Sequence, residues 1–107
     1  MKPMHEPTAE AISLAGVMGA LSDPVRVQIL CALADHGEAS CGTFELSIAK
    51  ATRSHHLRVL RESGLTHTRA EGTRRLVSLR RAELDARFPG LLDAVLAAAE
   101  RKAPAAA

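Results

Sequence analysis

Tryptophan and tyrosine are absent from this chain, and Phe44 and Phe88 are its only phenylalanines. Its core therefore has to be built from Leu, Val, Ile, Ala and Met. The same shortage argues against a surface made for docking another protein, because such surfaces lean on aromatic anchors. Cysteine is scarce too. Cys31 and Cys41 are too few for a disulfide framework, and a reduced, cytoplasmic setting is expected. No apolar run is long enough to span a bilayer, so no membrane partner is expected. The run from Ala11 to Leu21 is short, follows Glu6 and Glu10, and leads into Ser22-Asp23-Pro24, unlike a secretion signal. A glycine-rich phosphate loop, His-Glu-x-x-His and Cys-x-x-Cys are all missing. His55 and His56 are adjacent, so they point about 100° apart on a helix and cannot chelate as an i, i+4 pair does. An enzyme is not expected, and no catalytic residue is assigned.

What is present is a 107-residue chain, the size of one domain. A formal charge of +2 is too small to imply a polyanionic partner. Its distribution says more. Between Lys50 and Arg87 there are ten cations against Glu62, Glu71, Glu83 and Asp85, and the N-terminal part carries the compensating acids. A one-sided basic field attracts nucleic acid.

Taken in order, residues 1–7 read as a flexible arm, 8–102 as the folded domain and 103–107 as a disordered tail. Thr8 is positioned to cap a first helix with Ile12, Ala15, Met18 and Leu21 on its apolar side. Asp23-Pro24 is a strong helix start, and the second helix runs to about His36, with Val27, Ile29, Leu30 and Leu33 forming a wide apolar surface. Gly37 to Ser40 reads as a connector. A short third helix, Cys41 to Leu46, is followed by a tight turn and a longer fourth helix beginning near Ala49. After Gly64 the period changes to two. Leu65–Arg69 and Leu76–Arg80 read as strands with Gly72 at the hairpin turn. Arg81–Arg87 reads as a helical turn, and a last helix follows Phe88-Pro89-Gly90. The expected class is mainly α with a two-stranded β-wing, a winged helix-turn-helix of order α-α-α-α-β-β-α.

The stretch from Lys50 to Gly64 organises the rest. At helical spacing Leu57 and Leu60 form a narrow apolar stripe, while Lys50, Arg53, Ser54, His55, Arg58 and Arg61 fall on the other faces. A helix with one side on a small core and the other in a DNA major groove has this pattern, as does an ordinary solvated basic helix.

With the winged arrangement in hand, the chain resembles the ArsR/SmtB family of small bacterial transcriptional repressors. Leu21-Ser22-Asp23-Pro24-Val25-Arg26-Val27-Gln28-Ile29-Leu30 is similar to the family's opening segment. Ser54-His55-His56-Leu57-Arg58-Val59-Leu60-Arg61-Glu62-Ser63-Gly64-Leu65 is close to its recognition helix. Glu71-Gly72-Thr73-Arg74 stands at its wing turn. The resemblance implies a sequence-specific, homodimeric repressor on a pseudo-palindromic double-stranded operator. The first and last helices would pair across a two-fold axis through Ile12, Leu92, Val95 and Leu96; packing within one chain is the other account of that stripe. The residues implied to touch DNA are Lys50, Thr52, Arg53, Ser54, His55 and Arg58 on the helix and Arg74 and Arg75 at the wing. His56 reads better as a half-buried structural residue.

Family members release DNA when a small signal binds. The familiar Cys-x-Cys site on the third helix is incomplete here, because Gly42 and Thr43 follow Cys41, and so is the family's Asp, His and Glu site on the last helix, because Leu91 to Lys102 contains no histidine. Cys31 and Cys41 remain candidates for thiol oxidation, a persulfide link or a soft metal ion, and Cys31 also reads as a small buried hydrophobe. A small organic effector is the further option. The competing class is a winged-helix protein-interaction module without DNA specificity, which the near absence of aromatics disfavours.

Overall fold

The computed structural model describes residues 5–40 and 49–100. Among these residues, five helices follow a 3-10 turn at Ala9–Ala11: α1 Leu14–Ala20, α2 Pro24–His36, α3 Lys50–Glu62, α4 Arg81–Arg87 and α5 Leu91–Glu100. Strands β1 Ala39–Ser40, β2 Thr66–Glu71 and β3 Arg74–Leu79 form one antiparallel sheet in the order β1-β3-β2. The helix expected at Cys41–Leu46 lies outside the described residues, so α3 is the helix expected as the fourth. No single described helix is long and apolar enough to cross a membrane.

The Asp23-Pro24 signal acts as its chemistry dictates. Asp23 Oδ1 accepts from the Val25 and Arg26 N–H groups at 2.8 and 3.4 Å, and α2 runs Pro24–His36. Ile29, Leu30 and Leu33 are at most 1% exposed and form the centre of the core. The first helix differs from expectation. Thr8 makes no side-chain cap; Ser13 Oγ accepts from the Gly16 N–H at 3.0 Å, and α1 starts only at Leu14. Ile12, 1% exposed, enters the core from the segment before the helix, and Met18 is 52% exposed. The apolar spacing continued through a break that only the cap reveals.

Two further expectations are corrected. The connector after Gly37 contains β1, which pairs Ala39 with Val77 and Ser40 with Leu76, so the wing sheet has three strands. Two residues are too few to show a period. The stripe Leu92, Val95, Leu96 does not require a second chain. Leu92 and Leu96 are 3% and 7% exposed within this one, Val95 is half-buried, and Ile12 joins the same core. The apolar surface of α2 is wide enough to hold α5.

The end of α3 positions the wing. The Leu65 N–H donates to the Leu60 carbonyl and the Gly64 N–H to the Arg61 carbonyl, at 3.0 and 3.1 Å. This is a Schellman termination, with Gly64 at φ +92° and buried Leu60 and Leu65 closing it from the core side. The chain reverses into β2, whose register to β3 runs from Thr66–Leu79 to Glu71–Arg74 across a Gly72-Thr73 turn. Residues 5–7, within the expected arm, lie against the wing's base. The His5 carbonyl accepts from Arg61 Nε at 3.2 Å, Glu6 Oε2 from the Thr68 N–H at 2.8 Å, and the Pro7 carbonyl from Arg80 Nη1 at 2.7 Å.

A Cβ at Gly64 would sit 2.5 Å from Ile12 Cγ1, whereas nothing lies within 4 Å of one at Gly72 (φ +61°). In urea unfolding, Gly64→Ala should cost about 2–5 kcal/mol, backbone strain plus overpacking. Gly72→Ala should cost about 1–2 kcal/mol, from backbone strain alone.

Candidate nucleic-acid interface

Reversal at Gly64 leaves a groove of about 670 Å³ between α3 and the wing. Its α3 wall is Lys50, Arg53, Ser54, Leu57 and Arg61. These recur at helical spacing, so they share a side of the helix. The wing contributes Arg75, Val77 and Thr68, with Thr73 and Arg74 at the tip and Ser40 from β1. Among the described residues, no carboxylate lines this groove. His55 and Arg58 lie around the helix, in a second depression shared with Ala51, Ser54, Arg61 and Arg75. Thr52 is exposed but borders neither.

Five of the eight implied DNA residues, Lys50, Arg53, Ser54, Arg74 and Arg75, thus come together in the first groove, two more adjoin it, and Thr52 stands apart. The sequence reading undervalued Arg61, which lines both depressions. The signal was present: Lys50, Ser54, Leu57 and Arg61 are spaced i, i+4, i+7, i+11.

Charge is sorted by the strand pleat. Successive residues of β3 face opposite ways, so Arg75 joins Val77 toward α3 while Arg74 joins Leu76 on the other face. That other face carries the acids. Glu38 grips Arg69 with two bonds of 2.8 Å, Arg69 Nη1 reaches Glu71 at 3.4 Å, and Glu71 holds Arg74 Nη2 at 3.0 Å. Arg80, 9% exposed at the wing's base, is held by both oxygens of Glu83 at 2.8 and 2.7 Å. By contrast, the side chains of Lys50, Arg53 and Arg58 make no hydrogen bond or ion pair among the described residues. Unpartnered cations on one face and neutralised ones behind it make a surface directed at a polyanion.

His56, expected as structural, is 7% exposed, and its Nδ1 lies 3.2 Å from Arg26 Nη1. Cys31 is half-buried on α2 against the core, and Cys41 lies outside the described residues. No cluster of three His, Cys, Asp or Glu side chains suited to a metal ion occurs among the described residues.

Residues 23–68 match the family model described as bacterial regulatory protein, arsR family. The chain is 40% identical over 82 residues to the uncharacterized HTH-type transcriptional regulator YceK of Bacillus subtilis, across 74% of this chain and 82% of that one. It is 43% identical over 61 residues to a biofilm growth-associated repressor of Xylella fastidiosa, across 55% of this chain and 53% of the relative, about half that protein's length. Among solved structures, an ArsR family transcriptional regulator superposes with a TM-score of 0.63 at 26% identity, over 82% of this chain and 92% of its own. The M. tuberculosis protein Rv0081 does so at 0.57 and 28% identity, over 83% and 92%.

The wing's ion pairs make stability pH-dependent. Hydrogen bonds from Arg69, Arg74 and Arg80 hold the carboxyls of Glu38, Glu71 and Glu83, respectively, below the usual carboxylate range. The unfolded chain therefore takes up protons first on acidification. This contribution is fully present above about pH 5 and is lost as the pH falls through the folded-state values. Thermal midpoints should decline with acid over that range, and Glu38→Gln should flatten the decline.

Proposed function

The chain belongs to the ArsR family of bacterial transcriptional regulators, and from that premise we propose that it is a homodimeric, sequence-specific repressor of double-stranded DNA, acting in the cytoplasm. The observation that carries this is the groove between α3 and the wing: among the described residues its walls hold cations and no acid, and the side chains of Lys50 and Arg53 have no partner.

On this reading the N-terminal half of α3 enters the major groove. Arg53 pairs with a guanine edge, and Ser54 and His55 contact neighbouring bases or phosphates. Lys50, Arg58, Arg61 and Arg75 follow the phosphate backbone, which positions the protein without reading sequence. Arg74 reaches the backbone after exchanging Glu71 for phosphate. The exchange is inexpensive because both partners are more than half exposed.

The Xylella fastidiosa relative is named as a repressor, and repression is carried to this chain as part of the proposal. The dimer surface proposed is the outer side of α1. Leu14 and Met18, one helical turn apart, are 51% and 52% exposed and are the large apolar side chains left on the described surface. Two copies would present two α3 helices to successive turns of one duplex, about 34 Å apart.

The test begins with selection of a duplex from a random library and measurement of its affinity against a scrambled one. Two chains closing on about eight phosphates should give a log–log salt slope near −7. Arg53→Ala should lose about 1–3 kcal/mol of discrimination between the two duplexes. Arg75→Ala should weaken both alike and reduce the slope by about one per chain. Leu14→Glu combined with Met18→Glu should sediment as a monomer and lose the selected site. A wild-type protein that is monomeric at working concentration, or that ignores every duplex in dilute buffer, would contradict the proposal.

A further inference from the structure

We propose that Arg26 is a positioning residue for DNA reading: its guanidinium locks α3, through His56, to the carbonyl end of α1. The proposal rests on the reading above, that α3 is the helix that enters the duplex.

Arg26 stands in the first turn of α2, where the Asp23 cap fixes its backbone. Its side chain leaves α2 and meets two other helices. Nε donates to the Ala20 carbonyl at 2.6 Å and Nη2 to the Gly19 carbonyl at 3.5 Å, both at the end of α1. A cation is well placed there, because the last carbonyls of a helix are unsatisfied and carry the negative end of its dipole. The remaining arm, Nη1, faces His56 Nδ1 at 3.2 Å. An arginine has no acceptor, so Nδ1 must supply the lone pair, which places the ring proton on Nε2. His56 is 7% exposed, so without Arg26 this nitrogen would be left with little access to water.

The fork is planar and rigid, so its three contacts constrain one another. His56 lies one turn from Thr52 and Arg53 on neighbouring strips of the helix. Rotation of α3 about its own axis cannot release His56 without swinging Arg53. A bidentate base contact survives displacement of only about 0.5 Å, whereas phosphate attraction is far more tolerant. Loss of the lock should therefore damage sequence discrimination and spare non-specific binding. A purely structural residue would not make that separation.

The experiment uses the full chain with the selected duplex and its scrambled counterpart at fixed salt, with circular dichroism to verify folding. Arg26→Met keeps the stem and removes the donors. It should cut the ratio of scrambled to selected Kd about tenfold or more, the discrimination of roughly one base pair, and leave scrambled-duplex binding and its salt slope in place. His56→Leu should lose the ratio likewise. His56→Asn, whose Oδ1 replaces Nδ1 as acceptor, should keep it. An unchanged ratio in Arg26→Met or His56→Leu would overturn the proposal. So would equal losses on both duplexes, or His56→Asn failing as badly as His56→Leu. If Arg26→Met does not fold, the two His56 variants decide. A wild-type chain without selectivity would overturn the parent reading and this one with it.

Discussion

At Gly64 the backbone runs at φ +92°, and the side chain of Ile12 fills the space a Cβ would occupy. This close approach sets the direction in which the chain leaves α3. The Schellman bonds fold Leu65 back over Leu60, and both are buried to within 1%. The wing then rises beside the helix, and the groove between them exists because of that reversal. A different exit angle would place Arg75 and Val77 away from Lys50 and Arg53, and the cations would no longer share one concave surface. Ile12 contributes twice, since its carbonyl also accepts from Arg87 Nη2 at 2.5 Å. The segment before α1 is thereby tied both to the end of α3 and to α4.

The basic character of the surface follows from which arginines are already occupied. Arg69 is held by Glu38, Arg80 by Glu83, and Arg81 by Asp85 and Asp93, while Arg87 donates to a carbonyl and lies 5.4 Å from the Phe88 ring centre. The three paired with carboxylates, Arg69, Arg80 and Arg81, contribute little net field. Toward the groove lie Lys50 and Arg53, whose side chains have no partner among the described residues, together with Arg61, Arg74 and Arg75, and Arg58 on the adjoining face. The ten cations counted along the sequence therefore overstate the field and understate its direction. Acids placed behind the wing make a chain of charge +2 strongly one-sided.

Local chemistry was legible in the sequence, and long-range chemistry was not. Asp23-Pro24, Gly64 and the Gly72 turn each act through backbone conformation within a few residues, and each was readable. The two strands were also readable, from the change of period after Gly64. The cap at Ser13 was hidden because Ile12 continues the apolar spacing while belonging to no helix. β1 was hidden because its partner, β3, is some 35 residues further on. The burial of Leu92 and Leu96 depends on the width of α2, a property of the assembled core. Arg26 read as part of a family-like segment, and nothing within several residues of it announces His56, thirty positions away. For the site itself, the sequence supplied residue types and one helical stripe. The strand pleat, which turns Arg75 toward the helix and Arg74 toward Glu71, required the register.

Symmetry magnifies small effects in such a molecule. If two chains read two half-sites, whatever each chain loses in positioning is lost twice, and roughly additive penalties make a tenfold defect per chain about a hundredfold defect per operator. Non-specific attraction gains no such leverage from orientation, because phosphates recur along the whole duplex. A regulator of this kind can therefore be switched by an event worth only a few kcal/mol, provided that event turns or tilts α3. The end of α1 is well placed for this. It is joined to α3 through one guanidinium, and the same short helix exposes Leu14 and Met18. Movement of α1 against a partner would reach α3 through a rigid fork, with no need to disturb the aliphatic core beneath it.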